Sequence, residues 1–327
     1  MIITKTPFRI SFFGGGTDYP EWYQSHGGEV ISTTINKYVY ISVRKLPNFF
    51  DHKYRIVYSK DELVKSLSEI KHKPVREILK YFKIKKGLEI HYDSDLPARS
   101  GVGSSSAFVV GLLHSMMAMK KLNVNKNILA KKSIFLETKV LKETVGSQDQ
   151  VACAYGGFNN IKFMRSGKFN VRNIDLSIYK KKQLEDNLFL VFSKIQRTAE
   201  IVAKSFVNNL TDIKYKEMQN IKKILIEAKH NLKNNNINNF GELLHESWLL
   251  KKNLSNRISN NQLDDLYNHA IDGGATGGKL LGAGGGGFFV FYVKKQNHKK
   301  FLKKMKKNIT IPFKFEYGGS QIVANTY

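Results

Sequence analysis

Apolar and polar residues alternate through the first 13 positions, MIITKTPFRISFF, and that period predicts a strand ending at the turn GGGTDYP. Residues 29–45, EVISTTINKYVYISVRK, are rich in β-branched and aromatic side chains and predict a long strand. Helical patterns follow at 61–71 and 75–83, and GLEIHYDSD is strand-like. Two helices are expected at 104–121 and 126–143, then strands in FNNIKF and in NLFLVFS, residues 187–193. From 198 to 271 the pattern is mostly helical, with an Asn-rich break at 234–239. The chain then reads strand, Gly-rich turn, strand, helix, strand, and no internal repeat is present. This order predicts an α+β protein rather than regular βαβ units. The polar, weakly patterned stretch 165–187 places a boundary between units 1–175 and 176–327.

Composition narrows the class. A chain of 327 residues, 42% hydrophobic and 12% aromatic, can bury a large core. Its longest apolar run, near 107–119, is interrupted by His114 and is too short to cross a bilayer. MIITKTPFRI has no signal-peptide pattern, and the single cysteine, Cys153, cannot close an internal disulfide. The expectation is a soluble, cytoplasmic protein with no membrane partner; Cys153, among small apolar residues, reads as an inert buried thiol. The net charge of +26 would attract anions. Lysines supply most of it and are dispersed, without the arginine forks and aromatic platforms of nucleic-acid readers. A Lys-, Asn- and Ile-rich composition bias explains the charge equally well. No nucleic-acid partner is expected, and an anionic substrate is compatible with the charge.

One segment carries candidate chemistry. LPARSGVGSSSAFVVGLLHSMMA, residues 96–118, sets Gly101, Gly103 and three serines before a buried-helix pattern. Glycine allows consecutive N–H groups to point one way, and a helix N-terminus favours a phosphate. A capped helix after a Gly turn accounts for the same residues. No Lys follows the last Gly, so the loop is not of the GxxxxGK[ST] type. A second cluster, KLLGAGGGGFFVFYV at 279–293, fits a loop closing on a ligand or on backbone, or a long hairpin turn. A third, FFGGGTDYP, places Gly14 to Gly16 before Thr17 and Asp18.

Three charged residues fall at unusual positions. Glu137 lies on the apolar stripe formed by Ala130, Ile134, Val140 and Leu141. A carboxylate there needs a metal or a buried cation as partner. Glu143 competes with it but lies toward the expected exposed end of the helix. Asp149, in VGSQDQVACAYGG, fits either a partly buried base or an Asx-turn. Arg9 interrupts an apolar strand, as an exposed edge residue or as a phosphate clamp beside a glycine turn.

TPFRISFFGGGTDYP, LPARSGVGSSSAF and GGKLLGAGGGGF, in that order, resemble the three motifs of the GHMP kinase superfamily, and the match runs from residue 5 to about 290. HGGEVISTTINKY, VGSQDQ and HESWLLKKNLS resemble its D-glycero-D-manno-heptose 7-phosphate kinase branch. The resemblance implies an α+β GHMP kinase fold, with an N-terminal domain like ribosomal protein S5 domain 2 and a C-terminal ferredoxin-like domain. It implies ATP and Mg²⁺ as cofactors. Pro97, Arg99, Ser100, Gly101, Val102, Gly103, Ser104, Ser105 and Ser106 would bind ATP, and Ser105 and Glu137 would hold the metal. Asp149 and Arg9 would be catalytic. Gly15, Gly16, Thr17, Asp18, Gly284 and Gly285 would border the sugar, and Arg197 and Lys279 are candidates for a phosphate carried by it, Arg197 being equally suited to capping the helix near Thr198. Galactokinases carry Glu-His where this chain has Gly15 and Gly16, which argues against galactose. The implied reaction is ATP-dependent phosphorylation of the heptose 7-phosphate at C1, by a chain that can form a homodimer. The competing expectations are a fucokinase- or galactokinase-like enzyme, a non-catalytic sensor of the same fold and a basic nucleic-acid binder.

Overall fold

A long, bent strand organises the first half of the chain in the computed structural model, which describes residues 1–196 and 199–327. Strand β1 (Ile2–Phe13) leads through the short helix α1 (Pro20–His26) into β2 (Gly28–Lys45). The hairpin β3 (Tyr54–Val57) and β4 (Asp61–Val64), helix α2 (Lys73–Tyr81) and β5 (Leu88–Ser94) follow. Next come α3 (Ser104–Met119), α4 (Lys126–Phe135) and α5 (Gln148–Tyr155), and then β6 (Phe158–Phe163) and β7 (Phe169–Asn173). At 18 residues, β2 is long enough to pair with β1 along most of its length and with β5 and β6 at its two ends. Helix α3 is apolar nearly all round and buried along most of its length, which is why its sequence shows no polar stripe.

The second half is built on a smaller antiparallel sheet. Helix α6 (Ile178–Asp186) and β8 (Leu188–Phe192) open it. Helices α7 (Ala199–Lys204), α8 (Tyr215–Lys233), α9 (Phe240–Lys252) and α10 (Asn261–Asp272) follow. Strands β9 (Ala275–Leu280) and β10 (Phe288–Val293), helix α11 (His298–Lys304) and β11 (Ile309–Ile311) complete a sheet of order β11-β8-β10-β9. The last two strands, β12 (Phe315–Glu316) and β13 (Gln321–Asn325), return to the first sheet and pair with β2 and β1. We propose two units dividing near residue 175, with this C-terminal tail contributed back to the first. Phe12 and Phe13 of β1 meet Phe240 of α9 edge-on, at 5.2 and 5.1 Å between ring centroids, and join the halves.

Two sequence expectations are corrected. Residues 61–71 are not a helix: 61–64 pair with β3, and the buried Glu62 carboxylate accepts from the Lys71 and His72 amides. Strand pairing and that anchor outweigh local helix propensity. Nor do 126–143 form one helix. After α4 the chain makes a π-helical turn at Leu136–Val140, in which the Leu141 amide bonds the Leu136 carbonyl at 2.8 Å. Such turns re-aim a side chain, and here that side chain is Glu137.

Candidate active site

The three glycine-rich segments converge on one cleft of about 350 Å³ between the halves. Gly103, at φ +79°, is the N-cap of α3, so Ser104, Ser105 and Ser106 form the helix's first turn and their amides face no preceding turn. The 282–287 segment is indeed the turn of the β9–β10 hairpin, and it also packs on backbone. A Cβ on Gly101 would lie 2.7 Å from the Leu281 carbonyl oxygen, and one on Gly282 would lie 2.7 Å from the Gly101 Cα. The Phe288 amide bonds the Ser100 carbonyl at 2.9 Å. The two loops therefore brace each other, which rotamer-free glycine alone permits.

Arg9 and Asp149 meet across 140 residues of sequence. Arg9 Nε donates to Asp149 Oδ1 at 2.6 Å and Nη2 to Oδ2 at 2.7 Å. Its Nη1 donates to the Gly101 carbonyl at 2.6 Å, while its backbone amide bonds the Val102 carbonyl at 3.0 Å. Arg9 is 3% exposed and sits on β1 opposite Thr34 of β2, with the Val102 carbonyl on its other side, so it is neither an open edge nor a surface residue. Asp149, in the first turn of α5, keeps 21% of its side chain open toward the cleft. A forked, charge-assisted pair of this kind fixes the carboxylate's orientation.

Glu137 is fully buried and meets no Lys or Arg among the described residues. Its Oε2 accepts from Ser106 Oγ at 2.9 Å and from Gln150 Nε2, and its Oε1 has no partner among the described residues. Burial first, and the Glu143 carboxylate second, push Glu137 up to about 8. The serine beside it is Ser106; Ser105 is exposed in the same helical turn. Glu143 is not at an exposed end, as the helical reading expected: the π turn brings it half-buried into the cleft wall, and burial together with Glu200 raises its pKa.

On the other half, two lysines enter the cleft. Lys279, on β9, is 4% exposed and donates to the Phe12 carbonyl at 2.8 Å. Burial, then repulsion from Arg9, brings it down to about 7. Lys251, in the last turn of α9, donates to the Leu280 and Gly282 carbonyls at 2.7 and 2.6 Å. Burial, then Lys279 and Arg9, hold it well below an ordinary lysine. Sequence reading missed Lys251 as a site residue; its only signal was a lysine pair at the end of HESWLLKK, which a surface helix would also show. Asp18 is buried and accepts from the Gly16 amide at 3.0 Å, and burial, then Asp149, raises its pKa.

Other expected residues take different places. Gly15, Gly16, Arg99, Gly101, Ser104 and Gly284 line the cleft. Thr17 is spent on structure, its hydroxyl bonding the Gly14 and Glu29 carbonyls at 2.8 Å each. Ser100 and Val102 are buried behind the loop, Pro97 is exposed outside the cleft lining, and the Gly285 amide is tied to the Ile258 carbonyl at 2.7 Å. Arg197 lies outside the described residues. Cys153 is buried, and burial raises its thiol pKa. No helix among the described residues is long and apolar enough to cross a membrane.

A glycine-framed helix N-terminus and a clamped aspartate in an interlobe cleft, with a buried glutamate behind them, fit a phosphoryl-transfer class of site. Comparison with known proteins agrees. Residues 56–157 match the GHMP kinases N-terminal domain and 228–309 the GHMP kinases C-terminal domain. The chain is 31% identical, over 86% of each sequence, to D-glycero-alpha-D-manno-heptose 7-phosphate kinase of Campylobacter jejuni. It is 27% identical, over 86% of each, to galactokinase of Pyrococcus furiosus. A crystal structure of a D-glycero-D-manno-heptose 1-phosphate kinase from Bacteriodes thetaiotaomicron superposes with a TM-score of 0.81 at 22% identity over the whole of both chains. The chain belongs to the GHMP kinase family and has its α+β fold.

Proposed function

We propose that this chain transfers the terminal phosphoryl group of ATP to the C1 hydroxyl of D-glycero-D-manno-heptose 7-phosphate, giving the 1,7-bisphosphate for nucleotide-activated heptose synthesis. The observation that carries the reading is the forked Arg9–Asp149 pair beside the braced 97–106 loop. The likeness to the Campylobacter jejuni enzyme supports the sugar, and the absence of a Glu-His pair at Gly15 and Gly16 supports an acceptor other than galactose.

Each residue has a physical task. Amides at the start of α3 receive the nucleotide's phosphates. Both Asp149 oxygens already accept from Arg9, and their remaining lone pairs are free for an acceptor hydroxyl. Asp149 holds that hydroxyl in line and takes its proton as the oxygen–phosphorus bond forms and ADP departs. Arg9 balances charge on the group in transit. Asp18 and the Gly15–Gly16 turn border the sugar. Glu137, with Ser105 and Ser106 in the adjacent turn, would hold Mg²⁺: its unpartnered Oε1 and elevated pKa mark a carboxylate lacking a cation. The metal neutralises phosphate oxygens when bound. Most of the catalysis is positioning and electrostatics.

The test is ADP release against a panel of sugars and sugar phosphates, with and without EDTA. Heptose 7-phosphate is expected to give the highest kcat/KM, with activity lost in EDTA. A neutral hexose better by about tenfold, a difference of about 1.4 kcal/mol in transition-state binding, overturns the heptose assignment and leaves a different GHMP sugar kinase.

A further inference from the structure

Lys251 and Lys279 share an unusual condition. Each is drawn into the cleft wall, and neither meets a carboxylate among the described residues. Their partners are main-chain carbonyls, two for Lys251 and one for Lys279. An ammonium has three donors, so one hydrogen of Lys251 and two of Lys279 are left for the cleft. Ser247 stands one turn before Lys251 on the same face of α9; it is 4% exposed and also lines the cleft. Ser11, on β1 two residues from Arg9, is 6% exposed, lines the cleft and has a hydroxyl without a partner among the described residues.

Burying two cations side by side is costly unless an anion joins them. Arg9 is already committed to Asp149, and Asp18 is held by the Gly16 amide. The nucleotide loop, by contrast, has its own amides at the start of α3. We propose that Lys251 and Lys279, with the Ser247 hydroxyl beside them, bind the phosphate dianion that the acceptor sugar carries. The pocket makes the enzyme specific for a phosphorylated acceptor. This rests on the sugar-phosphate kinase reading above. Burial lowers the pKa of both lysines first, and the nearby Asp18 carboxylate, which pairs with neither, only partly offsets it.

The experiment measures kcat/KM for heptose 7-phosphate and for the unphosphorylated heptose in wild type, Lys251→Met and Lys279→Met. The ratio between the two substrates is expected to fall about 100-fold in each variant, the effect of one or two charged hydrogen bonds. The KM for ATP is expected to stay within about threefold. If Lys251 only braces the glycine loop, both substrates lose equally and the ratio is unchanged, which overturns the proposal. A second arm titrates inorganic phosphate by calorimetry, with and without saturating AMP-PNP. Phosphate binding that survives AMP-PNP and weakens about tenfold in Lys251→Met supports the acceptor site. Binding abolished by AMP-PNP assigns the lysines to the nucleotide, and binding equal in wild type and both variants shows no anion site; either result overturns the proposal. If wild type phosphorylates neither sugar, the sugar reading fails separately and the phosphate titration still decides the lysines. Circular dichroism confirms that each variant is folded; if Lys251→Met is not, Lys279→Met decides alone.

Discussion

Apart from the Arg9–Asp149 pair, the two halves bury ionisable groups of opposite kind, an acid in the first and amines in the second, with no ion pair between them among the described residues. In the first, Glu137 is sealed beneath the first turn of α3, with a serine and a glutamine as its side-chain partners among the described residues. In the second, Lys251 and Lys279 press against carbonyl oxygens. A folded protein could remove both costs with an ion pair, and this one keeps the groups on separate elements. The difference fits the proposed function, in which a cation would complete the carboxylate and a phosphate the lysines. Arg9 and Asp149, already paired, line the same cleft.

The largest effect should come from that junction. Asp149→Asn keeps the shape but loses a carboxylate, and kcat is expected to fall by about two to four decades with ATP affinity little changed. Steady-state kinetics checks this; unchanged turnover with a collapsed Tm would make Asp149 structural. Next, Glu137→Gln should lower kcat by about 10²–10³-fold, yet raise the Tm of the ligand-free protein at alkaline pH. The sign follows from its elevated pKa. The folded chain holds a proton that the unfolded chain releases, so stability is present below the ordinary glutamate range and lost as pH rises through about 8. A variant that is inactive and also less stable at pH 9 would break the comparison on its acidic side.

Arg9→Lys should not recover the activity lost in Arg9→Ala by more than about tenfold, because a point charge cannot reproduce the fork. Full activity in Arg9→Lys would remove Arg9 from the transition state. The smallest effect concerns the basic side. Lys279 titrates near 7 when folded, so the unfolded chain binds the extra proton between about 7 and the ordinary lysine range. Ligand-free stability should therefore be least below pH 7 and rise above it. Lys279→Met should flatten that rise by a few degrees in Tm, which thermal melts between pH 6 and 10 would show.

The sequence made most of this site legible because its signals are local. Glycine clusters mark places where backbone approaches closely, and Gly101 against Leu281 is such a place. Glu137 stood out by lying on an apolar stripe, and its burial is what the stripe implied. Arg9 and Asp149 could be suspected singly, but their pairing joins residues 140 apart, and no local pattern carries that. Lys251 was hidden because a lysine at a helix end is ordinary; only the packing of α9 against β9 turns it inward. The π turn hid Glu143, since helical spacing extended past Leu136 points it the wrong way. Strand β4 was misread for a related reason: its hairpin partner, not its own propensity, decides its state.

The central claim is that the cleft moves phosphate from ATP to a sugar that already bears one. Phosphorus NMR after incubating wild-type protein with ATP, Mg²⁺ and D-glycero-D-manno-heptose 7-phosphate tests it most directly. The account predicts ADP and a sugar product with two phosphorus signals, the new one coupled to the anomeric proton. Unconsumed ATP with this acceptor, while a neutral sugar is phosphorylated under the same conditions, would contradict it.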